Sequence, residues 1–241
     1  MLKKFTIGLA FALSSCVAIA AQNFSECRQF FAKGQIPVMK NEDSLIPRAL
    51  CFSSFAVLHS GKSRTPVYVA EKLNRQTLID AKDNERTNRF FADARLPRAE
   101  RAELDDYKGS GYDRGHMAPA GDMSTAEAMA QSFSLANMVP QAPENNRKTW
   151  AGIEKSTRKY VMRARSDVYV VTGPVFDSQH ETIGNNHIWV PKHLFKLVYD
   201  QAENKAWAYW VENADHVSAG KPISYTELVS RTGIQFLPGV M

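Results

Sequence analysis

The chain is poor in cysteine, nearly balanced in charge and, beyond its first twenty residues, without any long apolar run. Three cysteines in 241 residues, with no CxxC pair and no Cys/His cluster, exclude a zinc site. His59, His180, His187, His193 and His216 also lack metal-ligand spacing. No internal repeat, low-complexity tract or Pro/Gly-rich linker divides the sequence. One domain over residues 21–241, with one substantial core built from a 44% hydrophobic composition, is therefore expected.

The one long apolar run is N-terminal. Met1-Leu2-Lys3-Lys4 is a basic start, Phe5 to Ala20 is almost wholly apolar, and Ala18-Ile19-Ala20 has the small-residue pattern of a cleavage site. The run is too short to span a bilayer comfortably, so residues 1–20 read as a secretory signal cut near Ala20/Ala21, and a periplasmic or secreted protein is expected. Leu13-Ser14-Ser15-Cys16 also has the form of a lipoprotein box, which would put lipid on Cys16 and bring the chain to a membrane. Simple cleavage fits better, because the apolar run continues through Val17 to Ala20.

Signal removal leaves Cys27 and Cys51, an even number in an oxidising compartment, and predicts that they pair. The loop closed is worth on the order of 3 kcal/mol through restriction of the unfolded chain. Charge is less informative. Of 30 basic and 25 acidic residues, Lys3 and Lys4 leave with the signal, so 28 against 25 gives +3. Binding a polyanion then depends on a local patch, for which Arg86, Arg89, Arg114, Arg147, Lys148, Lys155 and Arg158 are the candidates.

What is present centres on Asp113-Arg114-Gly115-His116, after the glycine-rich approach Gly109-Ser110-Gly111-Tyr112. In an extended segment Arg114 and His116 project to one side, about 7 Å apart along the backbone. An imidazole that takes a proton from water, beside a guanidinium that holds a phosphate oxygen, suits a phosphodiester. Downstream, Asn146, Trp150, Glu154 and Arg158 recur at i, i+4 and form one helical stripe bearing an amide, a carboxylate and a guanidinium. Amide and carboxylate oxygens are hard ligands of the kind Mg²⁺ accepts. Each also has a plainer role: Asn146 as a helix N-cap, Glu154 with Arg158 as an exposed ion pair, Trp150 as core.

From about Pro66 to Phe236, and most specifically from Gly109 to Arg158, the sequence resembles the DNA/RNA non-specific endonucleases of the ββα-metal class. The resemblance implies that His116 is the general base and Arg114 the motif arginine. It places a metal-ligating asparagine at Asn146, a glutamate that holds metal-bound water at Glu154 and an arginine near the scissile phosphate at Arg158. Asn137 matches a polar active-site position. An upstream arginine maps onto Arg89, with Arg86 second. The implied activity is Mg²⁺-dependent hydrolysis of DNA or RNA, Mn²⁺ being a possible substitute, leaving 5′-phosphate ends. A metal-dependent phosphodiesterase for small nucleotides or other diesters is the alternative. A homodimer and an inhibitor protein are partners left open.

Thr65 to Leu73 reads as a strand, Val168 to Phe176 as a central strand from its nearly continuous apolar, β-branched run, and His187 to Tyr199 with Lys205 to Val211, rich in Trp, Tyr, Val and Leu about a polar turn, as a hairpin. Helices are predicted at about Glu144 to Arg165, Ser124 to Met129 and, from a capping pattern, Ser224 to Val229. The class is α+β, with a central antiparallel sheet flanked by a strand, loop and helix finger that carries the site. Met117, Met123, Met129 and Met138 read as gap-filling core.

Overall fold

Strand alternation decides the architecture. The computed structural model describes residues 24–241, so the signal and the Cys16 alternative lie outside the described residues. In β3 (Thr65–Leu73), Tyr68 and Ala70 face one core while Val69 faces another, as a sheet covered on both sides requires. Its partners are β1 (Pro47–Cys51), β2 (Phe55–Ser60), β6 (Val168–Val175), β7 (His193–Asp200), β8 (Lys205–Glu212) and β9 (Ile223–Ser224). They form a seven-stranded sheet in the order β9-β8-β7-β6-β3-β2-β1, antiparallel throughout.

One face buries Phe30, Phe31, Phe195, Leu197 and Phe236. The other buries Phe55, Val57, Phe133, Ile153 and Leu194, together with Met117, Met123 and Met129. This second face carries the finger. It comprises β4 (Asp113–His116) and β5 (Met138–Gln141), paired as a separate antiparallel ribbon, and α2 (Ala151–Val161). Between the two strands lies α1 (Ala126–Ser132), N-capped by Thr125, whose Oγ1 accepts from the Ala128 amide.

Several boundaries differ from those read in the sequence, among them the helix expected at Ser124 to Met129, which spans Ala126–Ser132. The strand expected from His187 starts at His193, because His187 adopts φ 52° and Ile188–Trp189 instead pairs with Thr182–Ile183. The helix expected from Glu144 opens with a π turn, Asn145–Trp150, and α2 ends at Val161. The last helix, α3 (Tyr225–Thr232), is capped by Ser224 as expected but runs to Thr232, where Gly233 at φ 70° ends it.

Cys27 and Cys51 are bonded, with Cα atoms 5.6 Å apart, and tie the N-terminal turn to edge strand β1. Their separation of 24 residues sets the expected outcome for Cys27→Ser/Cys51→Ser: a loss of about 3 kcal/mol, read as a lower urea midpoint, with a steeper slope because the unfolded chain is no longer held compact by the cross-link. A variant as stable as the parent refutes it.

Candidate active site

His116 ends β4 opposite Met138, and Arg114 lies opposite Pro140. Alternation puts both side chains on one wall of a cavity of about 560 Å³. Gly115, between them, faces the other way, where an added Cβ would stand 2.6 Å from the Gln141 Cβ. Only glycine fits the ribbon there.

The imidazole is 8% exposed. It is packed edge-on against Phe133, with ring centroids 5.0 Å apart, and 5.8 Å from Phe90. Burial, and then the Arg86 charge, push its pKa down to about 3. The ring is therefore neutral at physiological pH. Among the described residues Nε2 is buried without a partner, whereas Nδ1 keeps solvent access. The Arg114 guanidinium stacks on Phe90 at 4.2 Å.

Across the cavity, the π turn and α2 supply the facing groups. Asn146, Glu154 and Arg158 all line it, but Trp150 does not and is buried in the core. The wider i→i+5 turn swings Trp150 off the expected stripe and keeps Asn146 in line with Glu154. Asn146 Nδ2 donates to Asp113 Oδ2 at 2.9 Å, which leaves Oδ1 as the unengaged amide atom. Arg147 grips the same Asp113 carboxylate with Nε and Nη2, at 2.8 and 2.6 Å. Glu154 is half-buried, and burial, opposed by the Lys196 charge, raises its carboxyl to about 7. Arg158 Nη1 donates to the buried Asp122 at 2.9 Å. An amide oxygen and one carboxylate fit a hard divalent cation whose shell is completed by water and phosphate.

Four expected residues lie elsewhere. Asn137 is fully buried and lines no part of the cavity. Its Oδ1 accepts from the Ala118 amide, and its Nδ2 donates to the Ala118 and Ser132 carbonyls, all at 2.9 Å. Its amide group thus ties the loop after His116 to the end of α1 and faces away from the cavity. Arg89 is exposed and outside the cavity, while Arg86, the second choice, lines it. Lys148 pairs with Glu144 in an exposed ion pair, and Lys155 projects to solvent beyond the rim.

Sequence reasoning passed over Asp113 and Asp122, which orient Asn146 and Arg158. Asp113 opens the motif itself, a signal that was available. It also missed a buried charge group beneath the site. Glu71 on β3 and Lys196 on β7 are each 1% exposed. Lys196 Nζ donates to Thr172 Oγ1 at 2.7 Å, lies 3.5 Å from the Met117 carbonyl and stands over Trp150. Neither Glu71 oxygen has a hydrogen-bond partner among the described residues. Burial, with Asp122 nearby, pushes its carboxyl well above the usual range.

A neutral, buried histidine facing an amide and a carboxylate, carried on a strand-loop-helix finger beside an antiparallel sheet, defines a ββα-metal nuclease fold. The model of the DNA/RNA non-specific endonuclease family matches residues 33–241, and the chain belongs to that family. It is 31% identical to "Nuclease EXOG, mitochondrial" of Xenopus laevis, over 97% of this chain and 72% of that protein. To "Endonuclease G, mitochondrial" of Bos taurus it is 31% identical, over 78% and 69%. To "Nuclease 1, mitochondrial" of Schizosaccharomyces pombe it is 37% identical over 57% of this chain, spanning 46% of that protein. A solved complex of EndoG with EndoGI, described as showing the mechanism of EndoG inhibition, superposes with TM-score 0.67 at 26% identity, covering 78% of this chain and 85% of that one. The location read from the N-terminus is corrected by these comparisons. The relatives are named as mitochondrial nucleases, and the periplasmic or secreted assignment is withdrawn.

Proposed function

We propose that residues 21–241 act as a single Mg²⁺-dependent domain that hydrolyses phosphodiester bonds of DNA and RNA, leaving 5′-phosphate ends. The observation that carries this reading is an imidazole held neutral, with Nδ1 accessible, in a cavity where, among the described residues, Arg86 and Arg114 pair with no carboxylate. His116 takes a proton from water through Nδ1, and the phosphate beside it favours the imidazolium that results. Arg114 and Arg86 bind non-bridging phosphate oxygens. Arg158, aimed by Asp122, stabilises charge that grows on the phosphoryl group. Asn146 through Oδ1, with Glu154, would hold Mg²⁺ or Mn²⁺, which when bound supplies Lewis-acid polarisation of the phosphate. Backbone contacts of this kind read charge and geometry rather than base sequence, which supports tolerance of either sugar. The likeness to EndoG solved with an inhibitor supports a protein inhibitor as a further partner.

Digestion of plasmid and RNA by the whole protein, with Mg²⁺ or with EDTA, tests the reading. Cleavage of both with Mg²⁺ and of neither with EDTA is expected. Full activity in EDTA, or activity confined to a small chromogenic diester, overturns it. Asn146→Asp adds a charge at the ligand position, so calorimetry should show tighter Mg²⁺ binding while turnover falls about tenfold or more. Unchanged affinity and turnover would remove Asn146 from the ligand set.

A further inference from the structure

The side of α2 turned away from the cavity borders a second depression, of about 540 Å³. Its floor is Trp207 and Tyr209 of β8, half-buried on the sheet face that α2 leaves uncovered. Its wall and rim carry Lys159, Arg163 and Lys205, all exposed. No carboxylate lines it. Among the described residues none of these three cations, nor Lys155, takes part in an ion pair. Asp200, which accepts from the Tyr160 hydroxyl at 2.7 Å, and Glu203, which faces Arg165 at 3.8 Å, line the adjoining depression beyond Arg163 and Lys205. The Lys205 ammonium stands 5.7 Å from the Trp207 ring centroid.

The helix links this groove to the active site. Glu154 and Arg158 point into the cavity, and each i, i+4 step along a helix turns by about 40°. Lys155 and Lys159, and Arg163 just past the helix end, therefore climb diagonally over the exposed ridge from one depression to the other. A phosphate chain leaving the cavity meets an unpaired cation at each step and ends beside two half-buried aromatic rings, of which Trp207 also packs against Tyr160 at 4.7 Å.

We propose that this groove is an extended binding site for single-stranded nucleic acid, taking the part of a strand that lies several nucleotides from the bond cleaved. Unpaired cations that track a backbone beside aromatic rings form the combination that holds unstacked bases. Half-buried rings at the bottom of a groove are reached by splayed bases, and the stacked bases of a duplex cannot present their faces to them. The proposal rests on the endonuclease reading and names the form of substrate that the same enzyme holds best.

Fluorescence anisotropy tests it with a labelled single strand of on the order of 16 nucleotides and with a duplex of equal length, using the whole protein in EDTA so that nothing is cut. For Lys159→Gln/Arg163→Gln/Lys205→Gln, which alters only exposed side chains, the single-strand Kd should rise about tenfold, and the slope of log affinity against log salt should fall by about 2. Trp207→Leu should weaken single-strand binding about tenfold at unchanged salt slope. Single-strand binding and slope unaltered in the triple variant overturn the proposal, as does an equal loss for the duplex. Cleavage of plasmid and RNA by the unaltered protein in Mg²⁺ is scored separately. Absence of that cleavage sinks the endonuclease reading whatever the groove does, whereas cleavage with unaltered strand binding in the variants sinks the groove alone.

Discussion

Substitution of His116 by alanine is expected to lower kcat on plasmid DNA by about a thousandfold, the middle of the range for loss of a positioned general base. KM should move little, because Arg114 and Arg86 still meet the phosphate. Folding should survive as well. The lost packing against Phe133 is offset in part by removal of an Nε2 that is buried without a partner. Added imidazole, entering the space the side chain leaves, should restore part of the rate, with a pH dependence set by free imidazole rather than by the buried ring. A His116→Ala protein that cleaves at the parental rate removes this residue from the chemistry.

Lys196→Met is expected to destabilise the protein by about 3 to 5 kcal/mol, the usual result of removing one member of a buried charge group. Lys196 is the stronger of two cations, with Arg158, that lower both the Glu71 and the Glu154 carboxyl against the effect of burial. Without it, two carboxyl groups share an apolar layer with Asp122. Glu71→Gln should act in the opposite direction. A carboxyl whose pKa is raised on folding binds more protons in the native state, so its contribution is full below the ordinary carboxylate range and is lost as pH rises through the folded value. Replacing it with a neutral amide should therefore stabilise the protein, and the gain should grow with pH above that ordinary range. The double variant should recover much of the Lys196→Met loss. Urea midpoints for the four proteins at acidic and neutral pH check this, and strict additivity would show that the two groups do not interact.

Much of the architecture was legible because it rests on short-range pattern. Thr65 to Leu73 alternates between two buried faces and forms the strand predicted. Ser224 with Glu227 caps a helix as its spacing announces. The Asp113–His116 motif and the Asn146, Glu154 and Arg158 series meet at one cavity because a strand and a helix each display residues at a fixed period. What escaped depends on tertiary context. Nothing in the residues from Asn145 to Trp150 declares a π turn, although Trp150 is buried in the core as its residue type suggests. The choice between Arg86 and Arg89 depends on which way an irregular segment turns, and periodicity says nothing there. Asn137 has the residue type of an active-site amide, yet backbone groups that only the fold brings to it consume its donors and acceptor. Glu71 and Lys196 interrupt apolar strands and read as solvent-facing positions, because composition cannot reveal that a sheet face is covered by a finger of the same chain.

The crowding at Gly115 sets a spacing. Gln141, which fills the room a side chain would need there, donates from Nε2 to Asn145 Oδ1 at 2.9 Å, and Asn145 Nδ2 in turn donates to the Glu212 carbonyl at 2.6 Å at the end of β8 in the seven-stranded sheet. The strand that bears the imidazole and the turn that bears the Asn146 amide are thus gauged against each other by a missing methyl group. A Cβ at that point would shift Gln141, carry Asn145 with it, and widen the gap between proton acceptor and amide oxygen without touching either one.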